Sequence, residues 1–216
     1  MKKIIFIGDS ITDMNHTPDS YSEIAKMGFG YVYILSSYFA TKYPQKFQLV
    51  NRGVAGDTIS KMYAKVKLYA WNDKPDYLSI LIGTNDVSRE LNRGEEFDAQ
   101  RFISSYRMLI EDTYKFLPNV KIILCCPAFG DFGAQREDYN KFIQAFNSCT
   151  QAIKQIATEF NLPVVELQND FDVASSKYGV NYCYTDSLHP SVAGSKIIAD
   201  NWIEAFEKTY IGEELQ

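Results

Sequence analysis

The sequence predicts an α/β fold, a three-layer arrangement in which helices cover both faces of a five-stranded, mainly parallel sheet. Three observations predict it. Short apolar runs alternate along the chain with longer segments of helical period. The central runs have no polar face, as expected of strands covered on both sides rather than wetted on one. Candidate reactive residues gather just past the ends of the runs, where folds of this class build their sites.

Taken in order, the first run is Lys3 to Ile7, and a less regular helical segment follows from about Tyr31 to Tyr43. The second run, Phe47 to Asn51, precedes another such segment from about Ile59 to Trp71. The third run is Tyr77 to Ile82. After it, Phe102, Ile103, Tyr106, Leu109, Ile110, Thr113 and Leu117 keep steps of three and four and draw one apolar stripe along a helix. The fourth run, Val120 to Cys125, leads to a second striped helix over Tyr139 to Phe160. Pro163 to Glu166 is the fifth strand, and Val192, Ile197, Ile198, Trp202 and Phe206 mark a closing helix. No hinge, repeat or low-complexity tract interrupts the pattern, so residues 1–216 read as one domain with a short acidic tail at 212–216.

Composition narrows the function. With 216 residues, 46% hydrophobic and 23% charged, the chain can bury a substantial core. A net charge of −5 and the lack of a basic cluster argue against nucleic acid as a partner. Lys2 and Lys3 precede only four apolar residues, too few for a secretory leader, and no run reaches the length of a membrane span. The four cysteines show no C-x-x-C spacing, which fits a reduced compartment. The expected location is cytoplasmic.

Ser10, in "GDS" at the end of the first run, is the candidate nucleophile. Turn formation alone also accounts for Asp and Ser there, because their side-chain oxygens hold loose backbone N–H groups. A serine hydroxyl needs a base, most often histidine, and the chain has only His16 and His189. His16 sits six residues after Ser10 in a loop-like stretch. His189 follows Asp186 by three residues and precedes Pro190, which suits the first position of the closing helix. That spacing can bring the Asp186 carboxylate to one imidazole nitrogen while the other faces the serine. "NRGVAGDT" offers Gly53 or Gly56 as backbone N–H donors and "IGTND" offers the Asn85 amide, the kind of group that stabilises an oxyanion. The loop Ala128 to Gly133 also follows a strand. Two histidines without ligand spacing make no zinc set, and neither a dinucleotide nor a phosphate loop follows the first strand.

"GDS" at Gly8 to Ser10, Gly56 in "VAGDT", "GTND" at Gly83 to Asp86 and "DSLH" at Asp186 to His189 resemble, in order and over nearly the whole chain, the four sequence blocks of the GDSL-type, or SGNH, esterases and lipases. Ile11 stands where the family name has leucine, a nearly volume-conserving change. The resemblance implies a flavodoxin-like SGNH hydrolase fold with Ser10 as nucleophile, His189 as base and Asp186 as its partner. It further implies oxyanion donors at the Ser10 N–H, the Gly56 N–H and the Asn85 side chain, and neither metal nor organic cofactor. Compact length and the lack of a lid insertion resemble members that remove acetyl groups from sugars. Phe129, Phe132, Tyr178, Tyr182 and Tyr184 are then candidates to stack on sugar rings, or to serve as ordinary loop packing. Alternatives are a lysophospholipase or thioesterase using the same residues, a flavin- or nucleotide-binding domain at the same loops, and a reactive Cys183 thiol served by His189. Oligomeric state is not readable from the chain.

Overall fold

The computed structural model describes residues 1–130 and 139–212. Five strands, β1 (Lys2–Gly8), β2 (Phe47–Asn51), β3 (Tyr77–Leu81), β4 (Lys121–Cys125) and β5 (Val164–Val165), form one sheet in the order β2-β1-β3-β4-β5, with every pairing parallel. The fold class is the one the apolar runs predict. The fifth run shrinks to two paired residues at the sheet edge.

Alternate residues of each strand feed two separate cores, as the period of two demands. Ile5, Ile7, Leu78, Ile80, Ile122 and Leu124 face α4 (Ile59–Tyr69), α5 (Thr84–Asn92), α6 (Ala99–Phe116) and α7 (Tyr139–Phe160). Ile4, Phe6, Tyr77, Leu81, Ile123 and Cys125 face α2 (Glu23–Met27), α3 (Tyr31–Lys42), α8 (Gln168–Tyr178), α9 (Val180–Cys183) and α10 (Val192–Phe206). Each fully buried aliphatic side chain stabilises the fold by roughly 1.5–3 kcal/mol relative to exposure. The polar exception in β3 has a partner. Ser79 is wholly buried and accepts the indole N–H of the equally buried Trp202 at 2.9 Å.

The striped helices form where the periodicity places them, α6 starting at an Asp98 cap and α10 at a Ser191 cap. Helices also form outside the segments the periodicity marks, α2, α5, α8 and α9 among them. α5 begins directly behind Gly83, and α8 follows β5. α5 buries Thr84, Val87, Ser88 and Glu90, so it carries no continuous apolar stripe for a pattern to detect. Among the described residues no helix is long and apolar enough to cross a membrane.

Candidate active site

β1 lies between β2 and β3, so the segments leaving the carboxyl ends of these three strands meet at the centre of the sheet, where the winding direction of the fold reverses. α1 (Ser10–Asp13), a single turn, leaves β1 with Asp9 as its N-cap, and Ser10 is its first residue. Asp9 Oδ1 accepts the Ile11 N–H at 3.0 Å, and the Asp9 carbonyl accepts the N–H groups of Thr12 and Asp13. The Ser10 N–H stands at the first helical position, where helix geometry supplies no acceptor.

Buried Asn51 fastens this turn. Its Nδ2 donates to the carbonyls of Thr12 and Met27 at 2.7 and 2.9 Å, and its Oδ1 accepts the Gly53 N–H at 2.9 Å. Gly53 is required by contact, since a Cβ there would lie 2.3 Å from the Asp13 nitrogen. With its N–H committed to Asn51, Gly53 is not the oxyanion donor that the sequence left open beside Gly56. Gly56 has φ of +77°. Asn85, in the first turn of α5, has a buried Nδ2 without a hydrogen-bond partner among the described residues. A buried donor without a partner is costly unless something else fills that role.

His189, the base expected from the sequence, arrives from the other core. Between α9 and α10, Thr185 N–H donates to His189 O at 2.9 Å, and Tyr184 bridges Pro190. Asp186 Oδ1 accepts the N–H groups of Leu188 and His189 at 2.8 and 2.7 Å. These bonds close a tight turn that brings Asp186 Oδ2 to His189 Nδ1 at 2.8 Å, and His189 Nε2 meets Ser10 Oγ at 2.8 Å across 179 positions of sequence. The carboxylate favours the tautomer protonated at Nδ1, leaving Nε2 to accept the serine proton. The loop after β4 joins in through Gly130 N–H, which donates to Ser187 O at 2.9 Å. Pro190 is not the first residue of the closing helix. Ser191 caps α10, and Pro190 spends its rigidity on the bridge to Tyr184.

His16 is paired elsewhere, its Nδ1 lying 2.5 Å from Asp13 Oδ1 in a setting that leaves its side chain 8% exposed. Cys183 is fully buried, its thiol directed to the Phe171 carbonyl, so it is not a thiol open to chemistry. Of the aromatic candidates, Phe129 is buried against Phe142 and Phe146, and Tyr184 against Phe171; both are packing residues. Phe132 and residues 131–133 of its loop lie outside the described residues, as do residues 213–216 of the tail. Tyr178 and Tyr182 are exposed, with ring centroids 4.7 Å apart.

Three carboxyls experience opposite fields. Burial pushes Asp9 up to about 6, against the lowering effects of the Ile11 N–H and of His189. Burial likewise pushes Asp86 up to about 7, opposed by the Ile59 N–H and reinforced by Asp9. For Asp186, partial burial acts upward, but the His189 and Leu188 N–H groups and the His189 ring outweigh it and hold the carboxyl below its ordinary value. Sequence alone does not single out Asn51, Asp9 and Asp86. Polar residues at strand ends, in "VNRG" and on either side of the glycines, are the signal it offers.

The GDSL-like lipase/acylhydrolase family profile matches residues 6–197. An acetylxylan esterase of Geobacillus stearothermophilus is 31% identical over 205 residues, covering 92% of this chain and 90% of that protein. A protein described as a GDSL-like lipase from Parabacteroides merdae superposes with a TM-score of 0.88 at 30% identity, covering 94% of each chain. The crystal structure of an acetylxylan esterase from G. stearothermophilus gives 0.82 at 28% identity, covering 94% of this chain and 93% of that one. Solved structures of that esterase include catalytic mutants in which a serine or an aspartate is replaced by alanine. This chain belongs to the GDSL-like lipase/acylhydrolase family and is a carboxylic ester hydrolase.

Proposed function

We propose that the protein removes short acyl groups, O-acetyl groups on carbohydrate above all, through a Ser10-acyl intermediate. The observation that carries this reading is the pair of contacts that joins Asp186 Oδ2 to His189 Nδ1 and His189 Nε2 to Ser10 Oγ, each 2.8 Å. His189 takes the Ser10 proton as Oγ attacks the ester carbonyl. The Ser10 and Gly56 N–H groups and Asn85 Nδ2 bind the oxygen that becomes negative. His189 then gives its proton to the departing sugar hydroxyl, leaving acetyl-Ser10. A water molecule, deprotonated by the same imidazole, attacks the acetyl carbonyl, acetate departs and the proton returns to Ser10.

The acetyl and carbohydrate parts of the reading draw on similarity to the acetylxylan esterase and on the exposed Tyr178 and Tyr182 rings, which offer faces for a sugar. The test compares acetate release from acetylated xylo-oligosaccharides with hydrolysis of p-nitrophenyl acetate, octanoate and palmitate, using Ser10→Ala as control. Acetylated substrates should be fastest, and Ser10→Ala should lose turnover and fluorophosphonate labelling together. Preference for the octanoate or palmitate ester points instead to a lysophospholipase or thioesterase. Labelling that survives in Ser10→Ala moves the nucleophile to another residue.

A further inference from the structure

The Gly56 N–H owes its direction to one turn. Asp57 N–H donates to Val54 O at 3.0 Å, and Gly56, at the third position, has φ of +77° while Ala55 is not among the residues of positive φ. That combination is a type II turn, in which the middle peptide, bearing the Gly56 N–H, is turned over relative to type I. Glycine tolerates this conformation but does not enforce it, because it populates positive and negative φ about equally. Something must hold the peptide over.

α5 supplies the restraint. Arg89 Nη2 donates to the Gly56 carbonyl at 2.6 Å, and among the described residues Arg89 forms no salt bridge. A Cβ added to Gly56 would lie 2.9 Å from that same nitrogen. Three residues earlier, both carboxylate oxygens of Asp86 accept the Ile59 N–H at 3.1 Å, which fixes the far end of the segment. Val54 N–H donates to Gly8 O at 2.9 Å and fixes the near end. Asn85 and Arg89 are four apart on α5, on one helix face, and line one cavity of about 230 Å³.

We infer that Arg89 is a positioning residue for the oxyanion donors: its charged grip on the Gly56 carbonyl keeps the neighbouring Gly56 N–H aimed alongside the Asn85 amide. The inference rests on Gly56 acting as a donor under the function proposed above. One short helix then supplies one donor directly and orients the second through the peptide next to it.

The experiment measures kcat and KM on p-nitrophenyl acetate for Arg89→Ala and Arg89→Lys, with Asn85→Ala and Ser10→Ala beside them and melting temperatures recorded. Loss of a whole oxyanion donor lowers kcat by about 10²–10³, so misaligning one should lower it by roughly 10–100-fold, with KM little changed. Arg89→Lys should recover most of the loss, because an ammonium can still donate to the carbonyl. Wild-type kcat in Arg89→Ala, beside an inactive Ser10→Ala and an impaired Asn85→Ala, overturns the positioning role alone. A loss that merely follows the fraction of folded protein, with no recovery in Arg89→Lys, overturns it too. Continued hydrolysis by Ser10→Ala brings down the serine reading and this inference with it. Should Arg89→Ala fail to fold, Arg89→Met keeps the aliphatic stem without the donor and decides the same question.

Discussion

Two pairs in this molecule share the spacing Asp-x-x-His, Asp13 with His16 and Asp186 with His189, and each joins carboxylate to Nδ1, at 2.5 and 2.8 Å. Only the second ends on a serine. Asp13 and His16 lie on the chain just after Ser10, yet the imidazole there is nearly buried, its side chain 8% exposed. The His189 side chain is 39% exposed and hangs from a loop between two helices of the other core. Spacing along the chain thus makes the carboxylate–imidazole pair, and only the packing of α9 and α10 against the sheet gives one imidazole an alcohol to act on.

The largest effect separates the two directly. His189→Ala should lower kcat by roughly 10⁴–10⁶, since losing the base costs nearly as much as losing a whole triad. His16→Ala should leave kcat near wild type and lower the melting temperature, because it strips a partner from a mostly buried carboxylate. Rates on p-nitrophenyl acetate and thermal melts of both proteins check this. Equal kcat losses would erase the distinction between the pairs.

Asp186→Asn sharpens the comparison by dividing the two tasks of one side chain. The amide keeps an oxygen for the Leu188 and His189 N–H groups, so the turn should hold and the melting temperature change little. What is lost is the charge at Nδ1 and the tautomer it enforces, and kcat should fall by about 10³–10⁴. Asp186→Ala should show the same kinetic loss with a lower melting temperature. If Asp186→Asn keeps wild-type kcat, the carboxylate serves the turn and not the imidazole.

Much of this architecture is legible in the chain. The central apolar runs become strands because they are buried on both faces, and α7 spans Tyr139–Phe160 because its stripe packs on β4 and against α5 and α6. The site helix α5 escapes the same reading. Its buried residues are Thr84, Val87, Ser88 and Glu90, and it opens at Gly83 with φ of +130° rather than at a side-chain cap. With Val87 and Leu91 as its aliphatic residues over nine positions, α5 is too short and too polar for apolar spacing to mark it. Ser10, Gly56 and Asn85 are readable as types at strand ends, Asp186 and His189 through their three-residue spacing before the closing helix, and all five through family resemblance. The choice between Gly53 and Gly56 turns on Asn51, which takes the Gly53 N–H, and that between His16 and His189 on which imidazole meets Ser10 Oγ. The contact that separates the histidines spans 179 positions and has no sequence spacing to betray it.

Acidity gives a smaller effect with opposite signs in the buried and exposed parts of the site. Asp186, held below its ordinary value, contributes stability that is present above the unfolded pKa and is lost as pH falls through the folded one, in the acid range. Asp9, raised to about 6, behaves oppositely, binding protons more readily folded than unfolded. Its contribution therefore falls as pH rises from about 4 to about 6 and is flat beyond. Asp9→Asn retains an oxygen for the Ile11 N–H and cannot ionise. Its melting temperature relative to wild type should be higher at pH 8 than at pH 5. A difference independent of pH would mean that Asp9 titrates at its ordinary value.

The smallest effect concerns Cys183, six residues before His189, a proximity in sequence that invites the same mistake as His16. A thiol becomes reactive when a neighbour stabilises the thiolate and solvent can reach it. Cys183 has no exposed surface, lies between Phe171 and Tyr184 in the core under α10, and presents its sulfur to a main-chain carbonyl, which cannot stabilise an anion. His189 meanwhile is engaged by Asp186 on one side and Ser10 on the other. Iodoacetamide should therefore leave hydrolysis of p-nitrophenyl acetate unchanged in the native protein, while a fluorophosphonate stops it. Inactivation by iodoacetamide, with mass analysis finding the adduct on Cys183, would show that the loop before α10 opens far enough to release the thiol. The 2.8 Å contacts at His189 would then be one state of a moving segment, and the contrast between the two histidines would be one of dynamics as well as place.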